Sequence, residues 1–81
     1  MTRDEIFEKI KTILIELFEV ESENITLEAN LYEDLDIDSI DAVDLMVELR
    51  KLTGKKIDPE AYKKIRTVND TVDAIVELLK T

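Results

Sequence analysis

Eighty-one residues with eleven basic and twenty acidic side chains give a net charge of −9, and the chain has neither cysteine nor histidine. That length sets one domain over residues 1–81, with a core worth only about 3–5 kcal/mol, too little to support a deep enclosed active site. Disulfides and thiol chemistry are excluded, and the commonest general base and transition-metal ligand are missing, which leaves only carboxylates, Lys and Tyr for catalysis and disfavours an enzyme.

The first segment, Met1-Thr2-Arg3-Asp4-Glu5-Ile6, lacks the apolar stretch of a signal peptide, and no apolar run reaches membrane-spanning length. A cytoplasmic protein is expected. Helix I is predicted from about Arg3 to Phe18. Thr2 and Glu5 have the spacing of a capping box, and Ile6, Ile10, Ile13, Leu14 and Leu17 form its apolar face. A long loop follows from Val20 to Asp38, with Ile25, Leu27, Leu31, Leu35 and Ile37 as expected buried anchors. A loop of this length in a small domain is often functional.

Helix II is predicted from about Ser39 to Leu52, capped by either Asp38 or Ser39 and ended by Gly54. A short helix III begins at Asp58-Pro59, where Asp serves as cap and Pro suits the first helical position. Helix IV begins near Thr67, with Asp70 three residues on and Val68, Val72, Ile75 and Leu79 as its buried stripe. One glycine, one proline and 44% apolar residues agree with an all-α chain. The expected fold is a four-helix bundle with three longer helices, a short helix III and a long loop between helices I and II.

Charge is divided along the chain. Residues 1–49 carry a net −12 and residues 50–81 a net +3, and from Thr12 to Leu49 there are twelve acids and no Lys or Arg. The acidic half repels nucleic acid and anionic lipid and steers basic protein partners; in the plainer reading it only keeps a small domain soluble.

Helix II separates into three faces at 100° per residue. Ala42, Leu45, Met46, Leu49 and Leu52 form a core face. Asp41, Asp44 and Glu48 form an acidic stripe. Between them lies a second apolar stripe, Ile40, Val43 and Val47, too wide for a helix packed on one side only. One reading makes this a docking ridge steered by acids; the other buries Val43 and Val47 under the long loop or helix III. Ile40 is expected to be exposed. Ser39 has two readings of its own: a plain N-cap, or, with Asp38 capping, an outward hydroxyl at a helix N-terminus that suits a phosphate ester.

Asp34, Asp36 and Asp38 imitate the opening of a calcium-binding EF-hand loop, but Ser39 stands where that loop needs Gly and Leu45 where it needs Glu. Paired carboxylates are plentiful but lie on open surface, with nothing to exclude water.

At Asp38-Ser39-Ile40-Asp41 the chain resembles the acyl carrier protein family, which has Asp-Ser-Leu at the start of its second helix. The likeness extends over nearly the whole chain: the amphipathic first helix, the acidic loop, the Asp-Ser-apolar-Asp helix start, Ile57-Asp58-Pro59-Glu60 and Thr67-Val68-Asn69-Asp70 come in order. The resemblance implies that a phosphopantetheinyl transferase attaches 4′-phosphopantetheine to Ser39. The group's thiol would then carry acyl groups as thioesters between acyltransferases, ketosynthases and other enzymes of fatty-acid or polyketide-type biosynthesis. The protein itself would be a monomeric, non-catalytic carrier. It further implies that Asp38, Asp41 and Asp44 meet basic patches on those enzymes and that Ile40, Val43 and Val47 form the apolar contact; Glu48, in the same acidic stripe, is expected to join them in partner binding. An acyl chain would enter between helices II and III, lined by Leu31, Leu49, Ile57, Tyr62, Ile65 and Val68. The alternative is an acidic helical module that docks basic proteins through helix II and is never modified.

The departures from the family pattern are specific. Asp36-Ile37 replaces Gly-Ala, Ile40 replaces Leu, and Tyr62 stands where a small residue is usual. Arg50 and Lys51 replace acids common in housekeeping carriers, and Lys63 and Lys64 add to the basic segment. These differences point to a specialised pathway, and Tyr62 to a narrowed cavity suited to short, polar or aryl chains.

Overall fold

The computed structural model describes residues 2–57, 60 and 63–80. Three α-helices lie among these residues: α1 (Arg3–Phe18), α2 (Ser39–Thr53) and α3 (Val68–Lys80), with a single 3₁₀ turn at Ser22–Asn24. Strands are absent from the described residues apart from one isolated antiparallel bridge between Asn30 and Thr67. The all-helical expectation holds, and α3 is the predicted helix IV. Helix III was expected from Asp58-Pro59, and residues 58, 59, 61 and 62 lie outside the described residues.

Each helix starts where a side chain satisfies its orphan amides. Thr2 Oγ1 accepts the Glu5 backbone N–H at 3.2 Å, while Glu5 Oε1 accepts the Thr2 backbone N–H at 3.1 Å, which completes the predicted capping box of α1. At α3, Thr67 Oγ1 accepts the Asp70 N–H at 3.1 Å, and the Asp70 carboxylate accepts the Thr67 and Arg66 N–H groups at 3.2 and 3.1 Å. α2 ends at Gly54, whose φ of +70° is left-handed and whose N–H donates to the Arg50 carbonyl at 2.8 Å. An added Cβ at Gly54 would meet nothing within 4 Å, so backbone conformation alone selects glycine there.

The three helices pack on one another around a core. α1 contributes Ile6, Ile10 and Leu14; α2 contributes Ala42, Leu45 and Leu49; α3 contributes Val68, Val72 and Ile75. Thr71 is the buried polar residue of α3, and its hydroxyl donates to the Thr67 carbonyl at 3.1 Å, so its burial leaves no unmet bond. Ile25, Leu31, Leu35 and Ile37 are buried as expected, joined by Ala29.

Two expected core residues lie at the surface instead. Leu27 occupies the corner of a turn closed by the Ala29 N–H to the Thr26 carbonyl at 3.2 Å, so its side chain points outward and Ala29 takes the interior position. Leu17 falls within the apolar stripe of α1 by angle, but it belongs to the last turn. There it stands on the rim of a cleft with Phe18, Leu35, Asp36 and Asp41, and it is 43% exposed. Ile13 and Leu79 are half-buried, and Phe7, Phe18 and Val20 also pack against the core.

The loop before α2 is held by backbone bonds to the segment that opens α3. The Leu31 N–H donates to the Arg66 carbonyl at 2.8 Å, Val68 N–H to Ala29 at 3.0 Å, and Asn69 N–H to Leu27 at 2.9 Å. Inside the loop, Asn30 Oδ1 accepts the Tyr32 and Glu33 amides, and the Asp34 carboxylate accepts the Asn30 amide at 2.7 Å. At the other face, the Arg3 guanidinium ties α1 to α3 through Asp73 at 2.6 Å and Asn69 at 2.9 Å. Both ends of the Arg3–Asp73 pair are about half exposed, so it contributes well under 1 kcal/mol.

Asp36 adopts φ +55°, the left-handed region, at the position where the sequence likeness expects glycine. A side chain there costs about 1 kcal/mol, less for Asp than for most residues. Asp36→Gly should therefore be more stable than Asp36→Ala by about 1 kcal/mol in urea unfolding; equal stabilities would mean that residue 36 does not hold this conformation. Glu5 gives a pH signature. Its bond from the Thr2 backbone N–H, then that with the Thr2 side chain, holds its pKa below the ordinary carboxylate value. The stabilisation is complete above the unfolded-state pKa and is lost as pH falls through the lower folded-state pKa. Thermal melts from neutral to strongly acidic pH should show Glu5→Gln less stable at neutral pH, with the difference from the parent protein vanishing in acid.

Candidate attachment site and docking face

The site is built by the first turn of α2. Asp38 has extended backbone and is the N-cap: its Oδ1 accepts the Asp41 N–H at 2.9 Å, and its carbonyl accepts the Ala42 N–H at 2.9 Å. Ser39 is thus the first helical residue, exposed, and its hydroxyl forms no hydrogen bond with the described residues. Of the two capping assignments open in the sequence, Asp38 takes the cap and Ser39 Oγ is left for solvent or a partner. The side chain stands at the positive end of the helix macrodipole, where the free amides of the first turn favour an anionic substituent.

Along α2 the second apolar stripe is open to solvent. Ile40 is 73% exposed, Val43 55% and Val47 47%. The reading that buried Val43 and Val47 under neighbouring chain is therefore overturned: the loop anchors Leu31, Leu35 and Ile37 fill the interior instead. Asp38 and Asp44 are exposed, and Asp41 is half-buried. Glu48, also half-buried, is paired with Lys51 at 3.3 Å. Sequence reasoning missed this pair, although three-residue spacing on a helix was a sufficient signal.

The residues expected to line an acyl cavity lie largely in the interior. Leu31, Leu49, Ile65 and Val68 are buried members of the core and Ile57 is partly buried against it. Tyr62 lies outside the described residues. No three acidic side chains converge into a metal-binding group among the described residues. Asp34 and Asp38 instead accept backbone amides, from Asn30 and Asp41 respectively. No helix formed by the described residues is long and apolar enough to cross a membrane.

Comparison with known proteins agrees with this arrangement. The family model described as "Phosphopantetheine attachment site" matches residues 8–75. The chain is 48% identical over 79 residues to "Acyl carrier protein 2" of Ralstonia nicotianae, covering 98% of each chain. It is 39% identical over 79 residues to the acyl carrier protein of Petrotoga mobilis, covering 98% of this chain and 93% of that one. Among solved structures, the acyl carrier protein from Enterococcus faecalis superposes with a TM-score of 0.78 at 36% identity, over 95% of this chain and 98% of that one. The fold and site thus define a phosphopantetheine-bearing carrier, and the chain belongs to the acyl carrier protein family. Its prosthetic group is 4′-phosphopantetheine and it is not an enzyme. An unmodified docking module is not favoured.

The division of roles between the two adjacent residues is measurable. Asp38→Ala should cost about 1 kcal/mol of stability by removing the cap. Ser39→Ala should change stability by less than about 0.5 kcal/mol, since the hydroxyl holds nothing in the fold. Chemical denaturation of both variants tests the assignment; the reverse order would make Ser39 the cap.

Proposed function

We propose that Ser39 is the residue that bears 4′-phosphopantetheine, and that the loaded chain serves a specialised branch of fatty-acid or polyketide-type biosynthesis. The observation that carries the assignment is the exposed Ser39 hydroxyl at the start of α2, relieved of capping by Asp38. The residues around it fit the group: an exposed side-chain oxygen for the phosphoester and first-turn amides beside it that favour an anion. The group, when bound, supplies a terminal thiol that carries acyl chains as thioesters. The protein's own side chains present that arm and are recognised; they move no proton and break no bond.

Asp38, Asp41, Asp44 and Glu48 steer enzymes with basic patches, and Ile40, Val43 and Val47 are the contact they bury. The phosphopantetheinyl transferase is the first such enzyme, and acyltransferases and ketosynthases follow. Leu31, Leu49, Ile57, Tyr62, Ile65 and Val68 would line a cavity opened by the acyl chain, with Tyr62 limiting its width. A short helix between α2 and α3 completes the four-helix bundle, and the carrier acts as a monomeric single domain in the cytoplasm. The specialised branch is supported by Arg50 and Lys51, which stand where housekeeping carriers are acidic.

Incubation with coenzyme A and a broad-specificity phosphopantetheinyl transferase should add the mass of one phosphopantetheine group, read by intact mass spectrometry. Ser39→Ala should stay unmodified while remaining folded. Modification that persists in Ser39→Ala would move the attachment elsewhere.

A further inference from the structure

The open face of α2 is not uniformly acidic. At 100° per residue, Arg50, Val43, Val47, Ile40, Lys51 and Asp44 fall, in that angular order, within a sector of about 120°. Ile40, Val43, Asp44, Val47, Arg50 and Lys51 are all exposed. The apolar residues lie along the middle of this sector. Asp44 lies at one edge of the sector, with Asp41 beyond it on the same flank toward the Ser39 end, and Arg50 and Lys51 sit one on each side of the apolar stripe at the far end, about 15 Å from Asp41 by the helix rise. Lys51 is partly engaged by Glu48 at 3.3 Å, while Arg50 makes no ion pair with a described residue. The next cation, Lys55, is committed elsewhere: its Nζ donates to the Leu78 carbonyl at the end of α3.

We infer that this face docks a protein surface of two-ended charge: cationic where it meets the Ser39 end, apolar in the middle, and carboxylate-bearing where it meets Arg50 and Lys51. The inference rests on the carrier reading and adds to it the partner's second end. A partner that is basic throughout would be attracted to the Ser39 end and repelled at Arg50. A two-ended partner satisfies both, and only one orientation along the helix does so. Paired charges at the rim of an interface fix register and exclude wrong partners more than they add affinity. A face with opposite signs at its ends therefore selects direction as well as identity.

The test uses two synthetic helical peptides with the same leucine stripe. One carries lysines at one end and glutamates at the other; the second carries lysines at both ends. Binding to the intact chain is read by fluorescence anisotropy, with circular dichroism as the folding control. Arg50→Glu with Lys51→Glu should weaken the two-ended peptide about tenfold and tighten the all-lysine peptide. Arg50→Gln with Lys51→Gln, which only removes charge, should weaken the two-ended peptide by a smaller factor and serves if the reversal impairs folding. Three results would overturn the inference: no measurable binding of the two-ended peptide to the parent chain, tightening of both peptides by the reversal, or a fall in helix stability with peptide preference unchanged. The second would mean that net charge alone governs binding, and the third that the two cations serve only the helix dipole. Modification of Ser39 in the same preparation is scored separately, so failure of the carrier reading leaves the peptide result readable.

Discussion

The backbone pairing between the loop before α2 and the segment that opens α3 is the constraint on which the site depends. The bonds Leu31 to Arg66, Val68 to Ala29 and Asn69 to Leu27 fasten a stretch of chain that has no α-helix of its own. Once fastened, that stretch can place Leu31, Leu35 and Ile37 in the interior, where each reaches the core between the helices. Ile37 is the last buried residue before the cap, and its N–H returns to the Leu31 carbonyl at 2.9 Å. The start of α2 is therefore fixed from behind. Asp38 and Ser39 emerge at a defined point, where the Asp38 cap completes the helix start. An exposed serine at a helix start needs such support, because a side chain open to solvent cannot be anchored by burial.

Asp38 then resolves a conflict between folding and function. A helix beginning at this point needs an oxygen to take a first-turn amide, and Ser and Asp are equally suited to supply it. If Ser39 supplied it, the hydroxyl would be turned back onto the helix and occupied. With Asp38 one residue earlier as the cap, the helix starts with Ser39 already inside it and its oxygen free. The carboxylate also adds to the acid field around Ser39, so one side chain both starts the helix and contributes to the local negative charge.

Much of this was legible in the sequence, and the failures have physical causes. Helix boundaries followed from caps and stop signals: Thr2 with Glu5, Gly54, and Thr67 with Asp70 each have a chemical reason at a fixed spacing. The exposure of Ile40 was legible because it stands one residue after the start of the helix, and the width of the apolar sector left Val43 and Val47 open between exposure and burial. What decided Val43 and Val47 was not: it depends on whether the loop lies over them, and the loop is directed by backbone bonds that leave no mark in residue type. Leu17 and Leu27 were misplaced for the same reason. Helical periodicity gives the angle of a residue but not where its neighbours end, and a turn corner can turn a leucine outward. The choice between Asp38 and Ser39 stayed open because their capping chemistry is alike.

The charge division of the chain follows from these constraints. A net of −12 over residues 1–49 works against a compact fold through self-repulsion, and a core of this size has little stability to spare. Arranging acids at the N-terminal end of α2 and cations at its C-terminal end is the one distribution along that helix that its macrodipole favours at both ends. Acids near Ser39 thus bring some helix stabilisation with them, and Arg50 and Lys51 add to it. The same two-ended pattern lies along an open apolar stripe, so it is visible to whatever docks there. On the carrier reading proposed above, folding and recognition make the same demand on α2, and its outer face can be highly charged without a loss at either end of the helix.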